Sequence, residues 1–323
     1  MTCKELIFLK PMFRDRIWGG HRLQRDYKCK SETGRVGEAH LVSASPKSDL
    51  VVVSTEHAGM RLSELYREHR ELFGDITAEE FPLSVKLYDT RFHLPVYAVP
   101  ERYRNNAGEV KHGAAKFWYV LDCDKVGANL VLGHIVDDID DYLDVWEQPF
   151  YHEIMLRKVP VEKGMIAHAL PGTVHGMCKG SYIYEVAPAK YVSFVFFDYY
   201  RNFKGNLRKT DMETCTKFLS MPDKVGYKQT PQFKENVFGK LQCVGDFETY
   251  QVFRLKVNNY AQIEQTYPFL IVSVLEGEGS LNGVKLKSGS HFIVPSGYGE
   301  MCFVGKMLVM MSAVKRPAGN GEK

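Results

Sequence analysis

The stretch KGMIAHALPGTVHGMCKG, residues 163–180, decides how the rest of the chain is read. Gly164 opens an apolar run, Pro171-Gly172 makes a turn, and a second apolar run carries His175 three residues beyond that glycine. Short apolar runs closed by Gly or Pro read as strands. Outward from this point the same pattern recurs in EAHLVSA (38–44), DLVVVST (49–55), PLSVKLYD (82–89), LPVYAV (94–99), FWYVLDC (117–123), ANLVLGH (128–134), GMIAHAL (164–170), SYIYEVA (181–187) and YVSFVFFD (191–198). So many short strands predict a sandwich or barrel. Two helices interrupt them. In the first, residues 62–73, Leu62, Leu65, Tyr66, His69, Leu72 and Phe73 share a face and Gly74 supplies the stop. The second is acidic, DDIDDYLDVWE (137–147), with a short helical piece expected before Pro160.

Residues 223–246 are polar and aperiodic, and read as a linker. Beyond them TYQVFRLKV (249–257), PFLIVSVLEGEGSL (268–281), VKLKSGSHFIVPSG (284–297), MCFVG (301–305) and MLVMMSAV (307–314) follow the order of a small antiparallel jelly roll. The expected organisation is therefore mainly β: an N-terminal barrel with helical insertions over 1–222, a linker over 223–246, a second barrel over 247–315, and a disordered tail over 316–323. LEGEGSL (275–281) opens a turn between strands and no helix, so it is not a dinucleotide loop.

Composition narrows the classes. Of 323 residues, 45% are hydrophobic and 25% charged, which excludes a disordered or collagen-like chain. The 42 Lys+Arg against 39 Asp+Glu leave a net charge of +3 without a basic tract, so no nucleic-acid partner is expected. The apolar run FLIVSVL (269–275) is far short of the ~20 residues of a membrane helix. Lys4, Glu5 and Lys10 break up LIFL (6–9), so neither a membrane partner nor a secretory signal is expected and the cytoplasm is the expected location. The 7 cysteines are too dispersed for a disulfide framework or a Cys-based zinc site and read as free thiols.

The Gly164, Pro171-Gly172 and His175 pattern resembles the second sequence motif of cupins, in which a glycine turn aims a histidine into the barrel to hold a metal. KPMFRDRIWGG (10–20), GEAHLVSASP (37–46), LSELYREHRELFG (62–74), FPLSVKLYD (81–89), FWYVLDC (117–123), PGTVHGM (171–177) and DYYRNFKGNLR (198–208) are similar, in order, to the bacterial type I phosphomannose isomerases. LEGEGSL and SHFIVPSG resemble the metal-free second cupin of that family. The resemblance implies a double cupin that interconverts mannose 6-phosphate and fructose 6-phosphate through an enediol. One zinc ion would be held by a Gln and a His two apart on one strand, a Glu, and the His of the GTVH motif, with an Arg assisting.

The chain departs from that pattern at the site itself. In ungapped register the family's Gln falls on Tyr97, its ligand His on Val99, its ligand Glu on Lys116 and its Arg on Val195, which leaves His175 as the retained ligand. A catalytic zinc normally keeps three protein ligands and a water. A lysine ammonium ~4 Å from a divalent ion would add repulsion of about 8 kcal/mol at an effective dielectric of ~20. Zinc is therefore expected not to bind at the usual place, and the isomerisation is expected to be impaired or absent. His168, Glu185 and His40 are the substitutes that could complete a ligand set around His175, and an active isomerase using them is the alternative reading. Lys86 matches a family lysine near the active cavity, and Arg16, Trp18, Gly19 and Gly20 match the family's N-terminal signature, which implies a retained sugar or sugar-phosphate partner, with packing the preferred role for Trp18. A third reading, a structural partner for another protein, has no sequence feature for or against it.

Overall fold

Side-chain alternation along antiparallel strands organises both halves of the chain. A computed structural model describes residues 5–105, 107–148, 151–203, 206–223 and 238–316. The described part falls into two compact units, neither continuous in sequence. One is built from Met1–Phe13, Ala39–Lys86 and Gln232–Lys323, the other from Arg14–Glu38 and Leu87–Pro231. The linear boundaries at 222, 246 and 315 remain our proposal for how two barrels are strung along the chain.

In the second of these units two sheets enclose a core. One sheet has the strand order Ile166–Ala169, Lys116–Cys123 and Ser181–Pro188, followed by this unit's strand residues 87–89, 36–38 and 14–20. The other runs Leu156–Pro160, Asn129–His134, Val174–Met177, Val96–Ala98 and Phe194–Phe197. Trp118, Val120, Ala167, Ala169 and Ile183 of the first sheet meet Leu130, Leu132, Val159 and Met177 of the second in one buried cluster, together with Trp18, Tyr88 and Leu94. The opposite face of the five-stranded sheet is also buried. Val96, Ala98, Val131, Val174 and Phe196 pack with Tyr142 of the helix Ile139–Trp146 and with Met212 and Cys215 of the helix Met212–Cys215. Burial on both faces explains why these strands read as nearly continuous apolar runs.

The other unit contains the C-terminal sheet, ordered Ile7–Phe8, His291–Val294, Leu270–Leu281, Gly299–Val314, Tyr250–Gln265 and Leu241–Asp246, with Val284–Lys287 beside Leu270–Leu281. Its core is apolar, formed by Phe253, Leu255, Val272, Phe292, Phe303, Met307, Val309 and their neighbours.

The strands expected from the sequence are present, with four differences. DLVVVST (49–55) contributes only Asp49, in the short strand Ser48–Asp49, and isolated bridges from Val51 to Arg61 and from Val52 to Leu9, and Thr55 turns the chain beyond them at φ +65°. The first helix is α-helical over Leu62–Glu68 and gives way at His69 to a 3-10 turn, Arg70–Leu72. The segment before Pro160 keeps one helical turn, with the Ile154 and Met155 N–H groups donating to the Tyr151 carbonyl, and then runs as an edge strand, Leu156–Pro160, where a residue without an N–H is tolerated. Leu241–Asp246, read as the end of the linker, pairs with Tyr250–Gln265. Most of the expected linker and tail, residues 224–237 and 317–323, lies outside the described residues. The acidic helix begins as expected, with the Asp138 carboxylate accepting from the Asp141 N–H at 2.9 Å. Cys29, Cys123, Cys178, Cys215, Cys243 and Cys302 are free thiols, while Cys3 lies outside the described residues. Among the described residues no helix is long and apolar enough to cross a membrane.

Phe269 is fully buried and meets Phe73 edge-on at 5.5 Å and Phe81 at 5.4 Å, all in one unit. Phe269→Ala should therefore cost about 3–5 kcal/mol, measured as an earlier urea transition with the native spectrum retained before it.

Candidate functional site

The strand registers assign an inward face residue by residue. Trp118 lies in the core between the sheets, so Lys116, two residues earlier on the same strand, faces the same way. Trp118 is paired across to Glu185, which puts Glu185 on that face as well. In the other sheet Leu132 is in the core and pairs with His175, His175 pairs with Tyr97, and Tyr97 pairs with Val195. Lys116, His175, Tyr97 and Val195 thus converge on the interior of one barrel. Val99 is buried just beyond the Val96–Ala98 strand, its carbonyl accepting from the Gly172 N–H at 2.7 Å.

Two hydrogen bonds fix Glu185. Trp118 Nε1–H donates to one carboxylate oxygen at 2.8 Å and Tyr88 O–H to the other at 3.2 Å. The Trp118 ring lies edge-on to His175, with centroids 5.7 Å apart. His175 Nδ1–H donates to the Thr173 carbonyl at 3.2 Å, and its Nε2 is buried with no hydrogen-bond partner among the described residues. Lys116 is 6% exposed, with Nζ 4.8 Å from the Tyr191 ring centroid and 5.8 Å from that of Tyr97. Tyr97, Tyr191 and Val195 are half-buried and border this buried group.

Burial dominates the electrostatics. It pulls the Lys116 ammonium below its ordinary lysine value, against the pull of Glu185 and Tyr97. It pulls His175 well below the usual imidazole range, helped by the positive charge of Lys116, so His175 is neutral at pH 7. The Tyr88 phenol is pushed up by burial and by Glu185. Tyr97 is pushed up by burial, in opposition to Arg208 and Lys116.

The other sequence candidates occupy different surroundings. His168 pairs with Phe117, whose side chain alternates with Lys116 and Trp118, so it is on the opposite face of the sheet from His175. His40 is buried on Val36–Val42 in the other unit. Arg16 forms an ion pair with Glu38. Trp18 is buried with its ring 6.2 Å from Tyr88, in a packing role. Lys86 is half-buried on Leu83–Asp89. Sequence reasoning passed over Tyr88, Trp118 and Tyr191 as site residues. The signal for the first two was their i±2 relation to Lys86 and Lys116, whereas Tyr191 lies in a loop that carries no periodicity.

These residues do not fit a zinc centre. His175 Nε2 offers one lone pair, Glu185 has both oxygens engaged by Trp118 and Tyr88, Val99 has no donor, and Lys116 brings a positive charge. Among the described residues no group of three or more His, Cys, Asp or Glu side chains is placed to hold a metal ion. The arrangement can instead present a lysine amine, a neutral imidazole acceptor and aromatic faces to a small polar ligand.

Comparison with known proteins gives this geometry a setting. Residues 241–314 match the family described as mannose-6-phosphate isomerase, cupin domain. The chain is 29% identical to the mannose-6-phosphate isomerase ManA of Bacillus subtilis, over 93% of this chain and 96% of that one. It is 27% identical to the mannose-6-phosphate isomerase of Streptococcus mutans, over 95% and 98%. The crystal structure of a Bacillus subtilis mannose 6-phosphate isomerase superposes with a TM-score of 0.85 at 27% identity, covering 96% of this chain and 99% of that one. A zinc-bound mannose 6-phosphate isomerase shares the fold at a TM-score of 0.68 and 12% identity, covering 97% of this chain and all of that one. The fold is a double cupin.

Two outcomes follow from the buried polar groups. Trp118→Phe removes the donor to Glu185 and should destabilise the protein by about 1–3 kcal/mol in urea unfolding. Because His175 is held neutral when folded and takes a proton when unfolded, its contribution is lost as pH falls through the ordinary histidine range near ~6.5. The fall in urea midpoint between pH 8 and pH 5 should be smaller in His175→Gln than in the native protein.

Proposed function

Because this chain belongs to the phosphomannose isomerase family, we propose that it is a catalytically impaired double cupin that keeps a binding site for a sugar or sugar phosphate. The observation that carries this reading is Lys116, buried on the inward face of the barrel shared with His175. Moving a proton between C1 and C2 of a hexose phosphate needs a base and a group that stabilises the enediolate oxygen. In the relatives named above the activity is mannose-6-phosphate isomerisation. In this chain the positive charge of Lys116 beside His175 repels a divalent cation, which works against that chemistry even though the imidazole itself is neutral.

Binding has more support than turnover. Tyr97, Tyr191 and Trp118 offer ring faces and edges to the C–H surface of a sugar, and Glu185, His175 and Lys116 offer hydrogen-bonding groups at one place. Arg16 stays in the proposal as an outer contact for a phosphate, and the location proposed is the cytoplasm. A second reading, an active metal-dependent isomerase with a non-standard ligand set, draws on the partnerless Nε2 of His175.

Protein reconstituted with excess zinc and freed of loose metal should retain well under one equivalent. It should form no fructose 6-phosphate from mannose 6-phosphate in a coupled assay. Stoichiometric zinc together with turnover that disappears in His175→Ala would establish the second reading instead.

A further inference from the structure

Single apolar side chains on a protein surface are ordinary, but a contiguous group of them marks an interaction site. Ile135, Ile139, Leu143, Tyr151 and Ile154 form such a group, each between 41% and 62% exposed and all in one unit. Ile139 and Leu143 stand one turn apart on the helix Ile139–Trp146, while Tyr142 turns inward, its ring 6.1 Å from that of Phe196. The Ile135 N–H donates to the Met155 carbonyl at 2.9 Å and the Ile154 N–H to the Tyr151 carbonyl at 2.9 Å, which sets the segments flanking the helix side by side. Tyr200 extends the group, its exposed ring stacked with that of His152 at 5.9 Å. Tyr199 and Tyr200 both hold left-handed backbone, at φ +52° and +53°, in a turn closed by the Arg201 N–H on the Asp198 carbonyl at 3.1 Å. Bulky residues resist that conformation, and it persists chiefly where a function uses it.

The border of this group is negative. Residues 137–147 contain six Asp or Glu and no Lys or Arg. Asp140, Asp144 and Glu147 form the helix stripe next to Ile139 and Leu143, and they are exposed and in no ion pair among the described residues. The next cations along the chain, Arg157 and Lys158, are already paired with Asp223 and Glu153. An apolar centre with a charged rim is the anatomy of a protein interface. We propose that this face docks a cationic amphipathic helix of a partner protein. Its apolar side seats on Ile135, Ile139, Leu143, Ile154 and Tyr200, and its Lys or Arg side chains meet Asp140, Asp144 and Glu147. Charge selects this occupant, because a two-fold pair of this chain would set the same carboxylates against one another and an anionic lipid surface would be repelled. Docking here does not depend on whether the interior near His175 holds a sugar.

The test is fluorescence anisotropy with three labelled peptides, each titrated with the full chain: an amphipathic helix of Leu and Lys, a scrambled peptide of the same composition, and the same amphipathic helix with Glu in place of Lys. The native protein should bind the first at least about 10-fold more tightly than either of the others. Combined Ile139→Ser and Leu143→Ser should weaken that binding about 10-fold or more. Combined Asp140→Asn and Asp144→Asn should weaken it and flatten its dependence on salt. Val304→Ser, an exposed position in the other unit, should leave it unchanged. If the double serine variant does not fold, Ile154→Ser supplies the same comparison. Equal binding of the scrambled peptide, or affinity unchanged in the serine variants, would overturn the docking face, as would absence of binding by the cationic helix. A native dimer in sedimentation that the double serine variant dissociates would assign the face to a second copy and overturn the cationic partner.

Discussion

The alternation of the Lys116–Cys123 strand is the constraint on which the interior of the site-bearing barrel depends. Lys116, Trp118 and Val120 must share a face, and Trp118 and Val120 are held in the core by neighbours from both sheets. Slipping the strand by one residue would turn Phe117 and Tyr119 toward this core and carry Lys116 and Trp118 to the opposite, equally buried face, so the register is locked by apolar packing on both sides. Lys116 is carried inward by residues that have no interest in its charge. The Glu185 carboxylate follows from the same lock, because pairing with Trp118 presents it to the indole N–H.

What this enforced arrangement contains is chemically lopsided. It has one buried imidazole nitrogen with no hydrogen-bond partner among the described residues, on His175, and a lysine whose Nζ lies 4.8 Å from the Tyr191 ring centroid. Metal sites need the reverse: several donors and a net negative set of ligands. This chain shares the double-cupin scaffold of the relatives named above, and a shared fold speaks to architecture before activity. The C-terminal unit shows the limiting case, an interior filled by Phe, Leu, Val and Met side chains and devoted to packing.

Much of this was legible from the residues alone. Period-two runs marked most strands, and Tyr97, Val99, Lys116 and Val195 could be picked out as candidate pocket positions because each sits beside an apolar motif. Less legible was the segment before Pro160, where the proline hid an edge strand. The grouping of the substitutes was also hidden, since His168, Glu185 and His40 look equivalent in a one-dimensional list. Strand pairing separates them: Glu185 is paired with Trp118, His168 with Phe117, and His40 belongs to the other unit.

The sequence by itself determined the fold class, the family resemblance and the residue types at the pocket, because hydrophobic period and turn chemistry are local properties of the chain. Only the tertiary structure decided that Tyr97, Lys116, His175 and Val195 share one interior, that Glu185 is held by Trp118 and Tyr88, and that Tyr191 borders the lysine. Those facts depend on which strands pair and in what register, and register is set by burial summed over both sheets, a quantity that no single segment contains.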